Sequence, residues 1–307
     1  MMLVHMERSD GGYGEDGYEV VVIGGGAAGL NAALVLGRAR RRVAVVDSGQ
    51  PRNAPAEGVH GFLSRDGVPP GELLAIGRDE VARYGGRFVP GRVARLEQVA
   101  GDGPSFRVVL EDGTALAAAR VVVASGLRDE LPDVPGLREG WGDYALHCPY
   151  CHGYEVADEP LGILGTHERS PHQALLVRQW SSDVVFFAVR PLSDEDRAAL
   201  TKRDVRIVDG PVRAVTAAGV ETAAEGVVPR RAVFVAPEFL PRDGFLDGLG
   251  CERDDAGWVR VDEWGATSVP GVYAAGNVVD AMAQVVSAAA AGAKAAAAVN
   301  ADLVFQA

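Results

Sequence analysis

The sequence predicts an α/β protein of two three-layer lobes, the first discontinuous and wrapped around the second. Three observations predict it. The length of 307 residues exceeds one average domain and falls short of three. Near the start, a β-branched run, a glycine-rich turn, a helical stretch and a second apolar run follow one another, and this alternation returns in mid-chain. A further strand and a long alanine-rich helix come only after Pro237 and Pro241, which mark a return to the first lobe.

Taken in order, residues 19–23 read as a strand, 30–39 as a helix and 43–46 as a second strand, with Gly24-Gly25-Gly26-Ala27-Ala28-Gly29 as the turn between. Gly24 permits a tight turn, Gly26 lets the backbone approach a pyrophosphate, and Gly29 allows close helix–strand packing. The helix N-terminus then offers its amides to phosphate. Asp47 ends the second strand near the offset at which an acid accepts ribose hydroxyls. Residues 71–84 read as a helix, and short strands near Phe88, Val93, Val108 and Val121 lead to Ala124-Ser125-Gly126. The Pro-rich stretch 131–136 reads as a crossing. The middle section has its own pattern: strand 161–164, helix 171–180, strand 184–189. These elements divide the chain into a discontinuous lobe, 18–128 with 245–307, and an inserted lobe, 129–244.

Composition narrows the function. At 48% hydrophobic and 23% charged the chain is globular, and its 39 glycines lie well above the usual share of about 7%. A net charge of -12 opposes nucleic acid and anionic lipid, which are held by clustered Lys and Arg. The basic run at 38–42 falls at a predicted helix end, where cations complement the dipole. The segment before Tyr18 has no apolar core of a secretory signal, so a cytoplasmic enzyme is expected. Residues 281–299 are mostly alanine, broken by Gln284, Ser287 and Lys294, which suits a packed helix and not a membrane span.

Of three cysteines, Cys148 and Cys151 stand two residues apart, and Cys251 is expected to be a buried thiol. Cys148-Pro149-Tyr150-Cys151-His152 also matches the pattern of covalent haem attachment, which needs export, and no signal is read. A zinc site could use the pair with His147 or His152, but no second pair follows at ligand spacing, so no metal is expected. A redox pair remains, with the structural pair as the bland alternative. The spacing permits a reversible disulfide whose thiolate attacks and leaves. Since a thiol of ordinary pKa, about 8.5, is mostly protonated at neutral pH, a base is needed. His147 and His152 are the candidates, with His147 slightly preferred.

Together, GGGAAG, CPYC and the C-terminal GVYAAGN followed by Gln284-Val285 resemble the low-molecular-weight thioredoxin reductase family over about residues 18–303. The resemblance implies two Rossmann-like lobes of thioredoxin-reductase-like arrangement, with FAD in the first, the cysteines in the second, and a homodimer. By motif position it implies that Gly24, Gly25, Gly26, Ala27, Ala28, Gly29, Asp47, Ser48, Gly49, Gln50, Arg52, Asn53, His60, Val93, Ala124, Gly276, Asn277, Gln284 and Val285 line FAD. Cys151 would face the flavin and Cys148 the substrate.

The departures are informative. A reductase has a second glycine-rich loop for NADPH, but here the place reads Gly165-Thr166-His167-Glu168-Arg169-Ser170. His167 and Ser170 obstruct close approach to a pyrophosphate and Glu168 repels it. Arg190 is followed by Asp194, Glu195 and Asp196, where a 2′-phosphate would want arginines. The inserted lobe is therefore expected to keep the fold without the nicotinamide cofactor. FAD and CxxC without the NADPH motifs look like the dithiol oxidases of gliotoxin-type and holomycin-type metabolites, an antibiotic-biosynthesis role. CPYC followed by His-Gly, and Asn277 where reductases have Asp, fit that subgroup. It implies a small dithiol substrate, with molecular oxygen as acceptor giving hydrogen peroxide. The alternatives are a thioredoxin reductase fed by ferredoxin or another non-NADPH donor, and a flavin-binding sensor without turnover.

Overall fold

The computed structural model describes residues 17–100 and 105–305. The expectation about the segment before Tyr18 therefore falls almost wholly outside the described residues. Along the chain run β1 (Gly17–Ile23), α1 (Ala27–Arg38), β2 (Val43–Asp47), α2 (Pro70–Arg83), β3 (Arg87–Pro90), β4 (Val93–Val99), β5 (Ser105–Leu110), β6 (Ala115–Val123) and β7 (Leu127–Glu130). Then come β8 (Ala145–Leu146), α3 (Pro149–His152), β9 (Leu161–Leu164), α4 (Ser170–Val177), β10 (Val184–Ala188), α5 (Asp194–Lys202) and β11 (Arg206–Asp209). Strands β12 (Val212–Thr216), β13 (Gly219–Thr222), β14 (Gly226–Val228), β15 (Ala232–Val235), β16 (Glu238–Pro241) and β17 (Val272–Ala274) precede α6 (Val285–Phe305).

Two compact units result. The first holds the described residues up to Pro51, Leu74–Leu127 and those from Pro241 on; the second holds Arg52–Leu73 and Arg128–Leu240. The sequence placed all of 18–128 in one lobe. Arg52–Leu73 instead clusters with the second unit, where Arg52 pairs with Asp129 at 2.6 Å and His60 lies 3.3 Å from Glu155.

The first unit is built on a seven-stranded sheet ordered β3-β2-β1-β6-β5-β4, with β17 also pairing β6. β1 is buried on both faces, as its β-branched run requires. Val20 and Val22 join the cluster under α1 and α6, while Val21 and Ile23 join the opposite cluster with Phe106, Val108 and Leu246. Pairing with β2 (Val20↔Val43, Val22↔Val45) and β6 (Val21↔Val121) is parallel. That register puts the glycine turn after Ile23 beside Asp47 and Ala124, at the carboxyl ends of three neighbouring strands.

Helix α6 starts at Val285, later than the expected residue 281, because the Asn277 amide donates to the carbonyls of Asp280, Ala281 and Ala283 and holds that stretch as a turn. By length and composition alone α6 could cross a membrane. Instead it lies tightly on α1: a Cβ on Gly292 would meet Ala28 O at 2.0 Å, and Asn31 donates to Ala289 O at 2.6 Å. Its Asp302 pairs with the buried Arg120 at 2.5 Å.

The second unit has a parallel five-stranded sheet ordered β11-β10-β9-β15-β8 and a three-stranded antiparallel sheet β12-β13-β14. Phe186 and Ile163 face one core, Phe187 and Leu164 the other. β8, at the sheet edge, runs directly into His147 and α3.

Candidate redox site and flavin cradle

In the first unit the turn Gly24 to Gly29 is sterically committed at its ends and open in its middle. Gly24 has φ +107°, and a Cβ there would meet Ala124 O at 2.3 Å. A Cβ on Gly29 would meet Gly24 O at 1.8 Å, and one on Gly25 the Asp47 carboxyl carbon at 2.7 Å. At Gly26 a Cβ would meet nothing within 4 Å, so no protein neighbour demands this glycine and the space is left for a ligand. No side chain caps the N-terminus of α1, and its first turn carries no acid. Uncapped amides behind an open glycine are what a pyrophosphate needs. Asp47 accepts from Gly25 N–H at 3.2 Å and from Arg78 at 2.5 Å, which aims its carboxylate along the turn. The cradle fits FAD. Gly276, at φ +80°, sits against Ala28, and the Gln284 carbonyl starts α6 by accepting from Ala288 N–H at 2.8 Å. Ala124 is buried, Val93 half-buried, and Ser48, Gly49 and Gln50 are exposed on the loop after β2.

In the second unit, Cys148 precedes the single turn α3, with Pro149 at its first position. Cys148 O accepts from Cys151 N–H at 3.1 Å and His152 N–H at 3.2 Å, so the turn brings both thiols to one side. Gly153 closes it, donating to Pro149 O at 2.7 Å; a Cβ there would strike Pro149 O and the Trp180 ring. Trp180 meets Tyr150 edge-on at 5.5 Å. Tyr150 and Tyr154 remain 61% and 83% exposed beside the turn. Both cysteines are thiols. A thiol–thiol hydrogen bond with Cys148, then burial and the charge of Cys148, push the Cys151 pKa far up, against the pull of Arg52. In the reduced pair Cys151 keeps its proton.

The two histidines differ. His147 Nδ1 lies 3.2 Å from Val235 O; a carbonyl only accepts, so Nδ1 carries the hydrogen and Nε2 the lone pair. Burial lowers its pKa, the Val235 carbonyl opposing and Arg52 assisting. The edge of its ring meets Phe239 at 5.2 Å, and the Arg52 and Arg169 guanidiniums stand over that same Phe239 ring at 5.3 and 5.2 Å. Arg52 is held by a two-pronged bond to Asp129, at 2.7 and 2.6 Å. His152 is also lowered chiefly by burial, opposed first by the Cys148 backbone and then by the charge of Glu155.

The 165–170 loop also lies in this unit. Gly165 is required by packing, since a Cβ would meet the Phe186 ring at 2.6 Å. Beyond it the loop bonds to itself: His167 N–H donates to Ser170 Oγ at 3.2 Å and Arg169 N–H to His167 Nδ1 at 3.1 Å. Two of the loop's amides are thus taken up by its own side chains. After β10, Asp194, Glu195 and Asp196 form the first turn of α5, capped by Ser193.

Of the residues expected around FAD, those of the glycine turn, Asp47, Ala124, Gly276, Asn277, Gln284 and Val285 fall in the first unit. Arg52, Asn53 and His60 fall in the second, with the cysteines. His60 stands between Asp66 at 3.5 Å and Glu155 at 3.3 Å. Cys251, expected to be buried, is half-buried, its sulfur 3.9 Å from Thr267 Oγ1. Among the described residues no group of three or more His, Cys, Asp or Glu could hold a metal ion. Sequence reasoning missed Phe239, Asp129, Glu155 and Gln173 around the redox turn. Glu155 stands three residues after His152 and Gln173 three after Ser170, whereas Phe239 and Asp129 belong to no motif.

The pyridine nucleotide-disulphide oxidoreductase family matches residues 18–292. Thioredoxin reductase sirT of Leptosphaeria maculans is 32% identical over 305 residues, spanning 92% of this chain and 93% of its own. Thioredoxin reductase tcpT of Claviceps purpurea is 31% identical over 276 residues, spanning 84% and 86%. The crystal structure of HlmI is similar with a TM-score of 0.92 and 56% identity, over 95% of this chain and 94% of its own.

Proposed function

Because this chain belongs to the pyridine nucleotide-disulphide oxidoreductase family, here as an FAD flavoprotein, we propose that it is a dithiol oxidase closing a disulfide in a small dithiol through Cys148 and Cys151. Oxygen is the acceptor, so that one dithiol and one O2 give one disulfide and one H2O2. The observation that carries this reading is the self-bonded 165–170 loop in a chain that keeps an open flavin cradle and a CxxC turn. A loop whose amides are turned onto its own side chains is a poor seat for a dinucleotide that would deliver hydride. In this reading the electrons enter as thiols.

The cycle begins from the Cys148–Cys151 disulfide. His147 Nε2, unprotonated because Nδ1 holds the hydrogen, takes the proton of one substrate thiol. The resulting thiolate attacks Cys148 Sγ; a substrate–Cys148 bond forms and the Cys148–Cys151 bond breaks, with Cys151 leaving as thiolate under the pull of Arg52. The second substrate thiol, deprotonated in turn, attacks the substrate sulfur and releases Cys148. FAD, when bound, supplies a two-electron acceptor for the dithiol pair that can be reoxidised by oxygen. To His152, half-buried and lowered in pKa, we assign the role of taking the proton that Cys151 holds in the reduced pair. A homodimer and a cytoplasmic site of action belong to the same proposal.

Exposed Tyr150 and Tyr154 beside the redox turn favour one second reading: a protein disulfide docks there, as the names of sirT and tcpT suggest, and the enzyme reduces thioredoxin with electrons from ferredoxin or another non-nicotinamide donor. Anaerobic mixing of the yellow protein decides. NADPH should leave the colour and dithiothreitol should bleach it, with air restoring it and releasing peroxide. Bleaching by NADPH overturns the oxidase, thioredoxin reduction from ferredoxin with slow oxygen use selects the second reading, and colour that no dithiol bleaches marks a sensor.

A further inference from the structure

We propose that Gln173 is a positioning residue for His147, so that the helix inherited from a nucleotide-binding lobe now serves as the brace of the base. Gln173 lies on α4, the helix that follows the 165–170 loop, and is only 7% exposed. A buried amide is costly unless bonded. Its Nε2 donates to His147 O at 2.7 Å and to Val235 O at 3.4 Å. That same Val235 carbonyl is the acceptor for His147 Nδ1 at 3.2 Å. One amide thus holds His147 by its backbone and, through Val235, by its ring.

The orientation of the amide is settled by chemistry: both neighbours are carbonyls and only accept, so the nitrogen must face them, which leaves Gln173 Oε1 without a partner. A core helix would ordinarily place leucine or alanine at such a position, as it places apolar residues at Ala174 and Val177. An amide with one orphaned oxygen is retained at a cost, and the one thing it does is fix the residue before Cys148. Phe239 closes the ring from another side. With backbone and Nδ1 both held, the Nε2 lone pair keeps one direction.

The inference rests on the proposed reaction only in taking His147 as its base. The test uses the FAD-loaded full chain with Gln173→Leu, which keeps the size and loses the donor, and Gln173→Glu, which can donate to the carbonyls only when protonated. Peroxide release with dithiothreitol gives kcat and KM; nitrogen NMR of the imidazoles reports the His147 tautomer without turnover. Gln173→Leu should lower kcat about tenfold, with KM within about twofold, flavin absorbance unchanged and the His147 signal moved from pure Nδ1–H to a mixture. Gln173→Glu should regain activity relative to Gln173→Leu as pH falls. An unchanged kcat, or an unchanged tautomer in Gln173→Leu, overturns the proposal. If the unmodified protein releases no peroxide, the oxidase reading fails, while the tautomer comparison still decides whether Gln173 sets His147.

Discussion

The turn after β1 and the turn after β9 each follow the first strand of a parallel βαβ unit, one in a mixed sheet and one in a wholly parallel sheet, and their glycines differ. Both keep the first glycine, where a side chain would strike backbone or a core ring: Ala124 O for Gly24, Phe186 for Gly165. Only the first keeps the glycine whose missing Cβ faces empty space, Gly26. The second has His167 at that position and Ser170 where the first has Gly29, and these take up two of the loop's amides. Gly24 and Gly165 are each required by packing, whereas Gly26 answers to no protein neighbour and the matching position of the second turn carries His167. The open position is therefore the one that reports binding.

The sharpest way to break this comparison is to fill the first turn. Gly24→Val puts a β-branched residue at φ +107° against a carbonyl 2.3 Å away. It should cost more than about 3 kcal/mol and yield protein without flavin colour. Next in size, His147→Gln should lower kcat about 10²- to 10³-fold with FAD still bound, read by peroxide release. Emptying the second turn with Thr166→Gly, His167→Gly and Ser170→Ala should create weak NADPH binding, of about millimolar Kd by calorimetry, since freed amides face the charge of Glu168. Tight binding with flavin bleaching would mean that the loop alone excludes the cofactor.

The smallest effect is on pH. Burial holds the pKa values of His147 and His152 below the ordinary histidine value. In the window between the lowered and ordinary values the folded chain binds fewer protons than the unfolded one, so stability is present above it and is lost as pH falls through it. The melting temperature should drop by a few degrees across that window, less in His152→Ala. The acid limb of kcat/KM should likewise lie below the ordinary histidine range.

What could be read in the sequence is what neighbours in the chain decide. Alternation and glycine spacing revealed both βαβ units, and CPYC marked the redox turn before any contact was known. The surroundings of that turn were not legible. Gln173 reaches Val235 across 62 positions and Arg52 reaches Asp129 across 77, and no periodicity records such meetings. Arg52, Asn53 and His60 were assigned to the flavin lobe because they follow its second strand, yet their segment falls in the other unit, where Arg52 meets Asp129. The Pro-rich stretch 131–136 and Pro237 marked the crossings only to within a few residues, since proline signals a bend and not the contact that follows it.

The partnership of α1 and α6 also sets an order of manufacture. Asn31 is bound to a carbonyl 258 residues downstream, and β17 and α6 complete the sheet layer that β1 begins. A ribosome delivers β1 and α1 first, but their apolar face waits uncovered until almost the whole chain has emerged, while the 128–240 segment between them can already be folding. Cofactor capture is thereby a late event of synthesis, and the waiting face of α1 is where a nascent chain most needs a chaperone.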